Sequence, residues 1–330
     1  MKRPQPMVQI ASVGRYLPER VLTNDDLARM VDTSDEWIRE RTGISTRQIA
    51  DPAEWASDMG AAAATRALER AGYEPGEVDI LIVSTATPDR LLPSTACDLQ
   101  KRIGAGNAFA FDVSAACSGW LYGLTLAEGY LNAGRGEVAL VVSAEKMSSI
   151  IDWKDRSTCI LFGDGSGAAV LTRADGDRGI LSSYHRSDGE LAELLYRPAG
   201  GGAVPFDATV LESGDHLVKM SGREVFKAAV RSMADAAEHA LERAGLTGDD
   251  IDLMVPHQAN IRIIESTAKY AGIPMDRVYV NVDRYGNMSS ATIPVALSEA
   301  EEQGLIGPGS NVLMVAFGAG FTWGALAVRW

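Results

Sequence analysis

The chain predicts an α/β body made of two similar halves, stacked as five alternating layers, α/β/α/β/α. Three observations predict it. Residues 67–82, ALERAGYEPGEVDILI, return as residues 240–255, ALERAGLTGDDIDLMV, about half a chain later. A second echo links FGDGSGAAVLTR (162–173) with FGAGFTWGALAVRW (317–330). Between the echoes, short apolar runs alternate with segments of helical period.

Each copy of the first repeat reads as an amphipathic helix stopped by a C-cap glycine, Gly72 or Gly245, then an acidic turn and a buried strand. The runs VDILIVSTA, EVALVVSA, DLMVPH and NVLMVAF suit buried strands. Residues 55–71, 118–133, 221–244 and 289–303 carry helical periodicity. The alternation implies parallel sheets flanked by helices. No linker-like composition separates the halves, 1–175 and 176–330, so they are expected to pack intimately. Residues 186–216, with PAGGGAVPFD, are Gly/Pro-rich and read as an inserted loop region.

Composition narrows the function. Of 330 residues, 46% are hydrophobic and 23% charged, enough to bury a sizeable core. No apolar run approaches the roughly 20 residues a membrane helix needs. The opening MKRPQPMVQIASVGRYLP is basic but has no continuous apolar stretch, so no secretory signal is expected. Cys97, Cys117 and Cys159 form no CxxC pair; neither a disulfide framework nor a metal site is expected, and a reducing cytoplasm fits. The net charge of −13 disfavours nucleic acid and requires any acidic partner to find a local basic patch. FGDGSG lacks the Lys-Ser/Thr of a phosphate-binding loop and enters a strand rather than a helix.

Three residues stand in settings suited to chemistry. Cys117 follows an apolar strand end (AFAFDV) and small residues, and starts a helical pattern. The positive end of a helix dipole there favours thiolate; a buried inert cysteine fits the same context. His257 ends the strand run DLMVPH, and strand carboxyl ends collect sites; Asn260 can cap the helix that follows. A structural histidine remains open. Asn287, after Gly286, precedes a Ser/Thr-rich helix start and is most simply a turn asparagine. Cys97, Cys159, His185, His216 and His239 have no comparable setting.

Together DVSAACSGW, VPHQANIRII, RYGNMSSA and AFGAGFTWG resemble the β-ketoacyl-acyl carrier protein synthase III family, whose members have the thiolase-like fold. The resemblance runs from VDTSDEWIRERTGI to the chain end. It implies an acyltransferase with a Cys117–His257–Asn287 triad, no cofactor and no metal. The substrates implied are acyl-CoA and malonyl-acyl carrier protein (malonyl-ACP), joined by decarboxylative condensation to begin fatty-acid synthesis. The alternative is a thiolase-fold enzyme of secondary metabolism with an unusual primer.

The resemblance places an oxyanion hole at the backbone N–H groups of Cys117 and Ala319, where glycine is commoner than alanine. It assigns Trp37 and Arg156 to the CoA adenine, Thr33 and Arg41 to polar and phosphate contacts beside it, and Asn260 to the pantetheine channel. Lys227, Arg262 and Lys269 resemble the carrier-protein patch; Arg262 and Lys269 share a helix face at i, i+7. Met147 and Phe162 are expected as acyl-pocket walls. Leu92 replaces a phenylalanine that closes the pocket from across a homodimer in some members. No nucleic-acid or membrane partner is implied.

Overall fold

The two copies of ALERAG fold alike in the computed structural model, which describes residues 7–330. In chain order the first half contains β1 (Val8–Tyr16), β2 (Arg20–Thr23), α1 (Asn24–Ala28), α2 (Asp35–Thr42), β3 (Thr46–Ile49), α3 (Ala56–Ala71), β4 (Ile80–Ser84) and α4 (Thr95–Ile103). It continues with β5 (Phe109–Val113), α5 (Gly119–Asn132), β6 (Val138–Lys146), α6 (Arg156–Cys159) and β7 (Asp164–Arg173). The second half contains β8 (Gly179–Ser187), β9 (Leu195–Tyr196), α7 (Ala208–Ser213), β10 (Lys219–Met220), α8 (Gly222–Ala244) and β11 (Leu253–Pro256). It ends with α9 (Ile261–Ala271), α10 (Val282–Tyr285), α11 (Thr292–Glu302), β12 (Asn311–Gly318) and β13 (Thr322–Arg329).

Helices α3 and α8 both stop at a left-handed glycine, Gly72 at φ 73° and Gly245 at φ 64°. Glycine adopts that conformation without Cβ strain. The repeated aspartate does the same work in each half. Asp79 accepts the Glu137 and Val138 N–H groups and so anchors the start of β6; Asp252 accepts the Asn311 N–H at the start of β12.

The sheets have matching strand order: β1-β7-β6-β4-β5 in one and β8-β13-β12-β11 in the other. The partner that β5 lacks in the second sheet is reduced to a bridge between Met254 and Val278. The sheets are mixed rather than parallel, which corrects the expectation from alternation. β4 runs parallel to β5 and β6, and β11 to β12. β7 and β13 are antiparallel to both of their neighbours. Residues 319–321 are too few for a crossover, so β13 must return antiparallel to β12.

Three apolar clusters define the layers. One lies between α3, α4 and the outer face of the first sheet. A second fills the space between the sheets around α5 and α11. The third packs α8 and α9 on the second sheet. Helix α11 is buried from Thr292 to Ala300, as a central-layer helix without a solvent face must be. Within 186–216 the chain is more ordered than a loop: a 3-10 turn (Gly189–Leu194) leads to β9, which pairs with β10, and Asp207 caps α7.

Candidate active site

Cys117 sits in a 3-10 turn, Ala116–Ser118, between β5 and α5. Ala116 has φ 46°, an uncommon conformation for a residue with a side chain. The turn is clamped by the β12–β13 hairpin: the Ser118 hydroxyl donates to Thr322 O at 2.9 Å, and the Thr322 hydroxyl to Ala115 O at 2.9 Å. A Cβ on Gly318 would lie 2.6 Å from Cys117 N, so only glycine allows this approach. Ala319 is absent from the positive-φ residues, so alanine sits there without left-handed strain.

His257 continues the edge of β11, its N–H donating to Val315 O at 2.8 Å. Its Nδ1 lies 2.6 Å from the Thr292 hydroxyl, which leaves Nε2 as the ring nitrogen on the cavity side. Asn287 is held by the turn at 161–163. Its N–H donates to Leu161 O, and Gly163 N–H donates back to Asn287 O. Asn287 Oδ1 accepts the Ser289 N–H at 2.8 Å, so the amide Nδ2 remains to donate. Gly163 and Gly286 permit this pairing, because a Cβ on either would lie within 3 Å of a backbone carbonyl oxygen.

The two FG echoes therefore exchange supports. Phe162–Gly163 of the first half holds Asn287 of the second, and Phe317–Gly318 of the second half backs Cys117 of the first. All three candidate residues are buried and line one cavity of about 660 Å³.

Burial dominates the ionisation of Cys117 and His257. It pushes the Cys117 thiol up to about 12; Ser289 hydrogen bonding pulls the other way and the nearby Glu145 carboxylate adds to the rise. The helix-start expectation of a ready thiolate is thus outweighed by desolvation. Burial also pushes His257 down to about 3, so the imidazole is neutral. With both groups neutral and lining one cavity, a nucleophilic role for Cys117 would require its proton to leave as it attacks.

The cavity mouth is basic, with Arg41, Arg223, Lys227 and Arg262 among its lining. Arg223 was missed in the sequence, although it stands four residues before Lys227 on the same helix. Arg262 also lies over the Phe226 ring at 5.5 Å. Lys269 is exposed further along α9 and does not line the cavity. Trp37 carries Arg41 and Arg156 over its ring at 4.6 and 4.9 Å, and Arg156 donates to Asp32 O at 2.7 Å. Asn260 caps α9 and donates to Arg41 O. The Thr33 hydroxyl is buried without a protein partner. Of the expected acyl-pocket residues, Phe162 lines the cavity; Met147 is buried in the core and does not, and Leu92 is 87% exposed.

Supporting residues were invisible in the sequence. The buried Glu299 carboxylate on α11 accepts from Tyr279, Asn281, Arg284 and Tyr285, pinning the segment that leads to Asn287. Buried Arg47 joins Asn24 to Ile160 O behind Gly163 and Gly286. Neither position belongs to a pattern that periodicity reveals.

Residues 111–189 match the family model for 3-oxoacyl-[acyl-carrier-protein] synthase III, and residues 241–330 match the model of its C-terminal part. Over 97% of both chains the sequence is 51% identical to the β-ketoacyl-[acyl-carrier-protein] synthase III of Caldanaerobacter subterraneus. It is 52% identical to that of Symbiobacterium thermophilum over 98% of both. The crystal structure of 3-oxoacyl-[acyl-carrier-protein] synthase III from Aquifex aeolicus VF5 matches with a TM-score of 0.91 at 44% identity, covering 98% of this chain and 100% of that one. Fold and relatives define a thiolase-fold condensing enzyme, an acyltransferase. The chain belongs to the β-ketoacyl-[acyl-carrier-protein] synthase III family.

Among the described residues no group of three or more His, Cys, Asp or Glu side chains could hold a metal, and no helix is long and apolar enough to cross a membrane.

Proposed function

We propose that this protein condenses an acyl-CoA primer with malonyl-ACP, giving 3-oxoacyl-ACP, CoA and CO2, and so initiates fatty-acid synthesis. One observation carries the reading: Cys117, His257 and Asn287, from three segments of two halves, line a single cavity with a basic mouth. Cys117 attacks the acyl thioester and holds the acyl group, with its own N–H and that of Ala319 facing the oxyanion. Malonyl-ACP then loses CO2. His257 Nε2 and Asn287 Nδ2 donate to the enolate oxygen, and the enolate carbon attacks acyl-Cys117.

The CoA adenine stacks at Trp37, with Arg156 moving outward to admit it, because 4.9 Å is too close for a ring between them. The Thr33 hydroxyl and Arg41 contact the nucleotide, and Asn260 lies along the pantetheine path. Lys227, Arg262 and Lys269 dock the acidic carrier protein, joined by Arg223. A homodimer forms through the edge strand β5, where Phe109 is exposed, and through Leu91 and Leu92. Leu92, smaller than phenylalanine, lets the partner's pocket admit primers longer than acetyl; a strict acetyl preference among acetyl-, isobutyryl- and octanoyl-CoA refutes that.

The test of the whole reading is trapping of a radiolabelled acyl group from acyl-CoA. Label is expected on Cys117 and absent in Cys117→Ala. Full acyl-enzyme formation by Cys117→Ala overturns the nucleophile.

A further inference from the structure

The Thr292 hydroxyl has one proton and two neighbours. It donates to Ser289 O at 3.0 Å and lies 2.6 Å from His257 Nδ1, all within the buried core of the site. Ser289 O can only accept, and a Thr292 hydroxyl that gives it its one proton can only accept from His257, which puts the ring proton on Nδ1. We propose that Thr292 is a positioning residue that fixes the Nδ1–H tautomer of His257, making Nε2 a base toward Cys117 at rest and a donor only after it has taken the thiol proton. This rests on the condensation reading above.

The proton balance then closes without an outside acid or base at the site. Nε2 takes the Cys117 proton as the sulfur electron pair attacks the acyl-CoA carbonyl. The C–S bond to CoA breaks, and the departing CoA thiolate takes a proton from solvent, the one proton the overall reaction consumes. The imidazolium is paired by the carboxylate of the incoming malonyl unit. It donates Nε2–H to the enolate oxygen as CO2 leaves. The enolate carbon attacks acyl-Cys117, the Cys117 thiolate is expelled, and it recovers the Nε2 proton.

Nitrogen-15 NMR of the wild-type enzyme, with the His257 signal assigned from its loss in His257→Gln, reads the tautomer directly. The expected pattern is a protonated Nδ1 and a bare Nε2; a protonated Nε2 in the resting enzyme overturns the proposal. In Thr292→Val, single-turnover acylation by acetyl-CoA is expected to fall about 100-fold, the lower end of what a positioned general base contributes. Decarboxylation of malonyl-ACP changes far less, because the ring reverts to Nε2–H. Thr292→Ser restores both rate and spectrum. Equal losses in the two half-reactions, or an unchanged spectrum in Thr292→Val, also overturn it. A wild-type enzyme that accepts no acyl group from acyl-CoA refutes the function instead, and the spectrum still judges Thr292.

Discussion

Gly318→Ala isolates the proposed oxyanion side of the site. The added Cβ would stand 2.6 Å from Cys117 N, 3.1 Å from Ser118 N and 3.2 Å from the Ala116 Cβ. Ordinary contact begins near 3.4 Å, so the hairpin turn and the nucleophile turn must separate by about 0.8 Å. Both sides are backbone, and the Ser118 and Thr322 hydroxyl clamps resist the movement. The Cys117 and Ala319 N–H groups lie on the two separating turns. A displacement near 1 Å costs reaction geometry about 100-fold, and loss of one oxyanion donor costs about 3–4 kcal/mol in the transition state. Acylation by radiolabelled acetyl-CoA, followed in single turnover, should therefore slow about 100-fold. Overpacking should lower stability by about 1–3 kcal/mol, leaving the folded enzyme to be assayed. Decarboxylation, which the proposed function assigns to His257 and Asn287, should suffer less. Gly222→Ala on the same cavity is the control, since its Cβ would meet only Met220 Cε at 3.6 Å. Wild-type acylation in Gly318→Ala refutes the placement of the hole.

Other perturbations read other parts of the site. Arg262→Glu should weaken use of malonyl-ACP while leaving acylation by acyl-CoA intact; equal loss of both argues against docking at α9. Glu299→Ala should cost about 3–5 kcal/mol by urea unfolding, because it strands the half-buried Arg284 and several donors. Burial alone would raise the Glu299 pKa, but bonds from Asn281 and Tyr285 and the Arg284 charge outweigh it, so the carboxylate is ionised and strongly held. Burial pushes His185 down to about 4, with Thr125 bonded to its Nε2. The unfolded chain takes up that proton near pH 6.5 and the native chain does not, so this stabilisation is full above pH 6.5 and lost as pH falls toward 4. Wild type should lose about 2 kcal/mol between pH 7 and pH 5 that His185→Gln does not. An unchanged stability difference between the two proteins at these pH values rules out the linkage.

Much of the architecture is local and so was legible in the chain. A C-cap glycine, an acidic turn and an apolar run need no distant partner to be recognised. α3, α8, β4 and β11 accordingly lie where the repeat put them, and Asn260 caps α9. Strand direction was not legible: the alternation of elements implied parallel sheets, while the three-residue turn after β12 and the return of β7 beside β6 made them mixed. The same apolar run suits either direction, and only its neighbour's hydrogen bonds choose.

By itself the sequence determined the duplicated body and a charge balance that demands a basic patch for any acidic partner, and it singled out three side chains in settings suited to chemistry. Tertiary structure decided how those side chains behave. It placed Gly318 against Cys117 and Gly163 against the Asn287 segment, each glycine serving the other half. It buried Cys117 deeply enough that desolvation overrides the helix start. It set Thr292 on His257 Nδ1 and gathered four donors on Glu299. Those effects depend on backbone approach and exclusion of water between segments more than 100 residues apart, or on the packing of one buried helix. Neither quantity is carried by residue type or spacing.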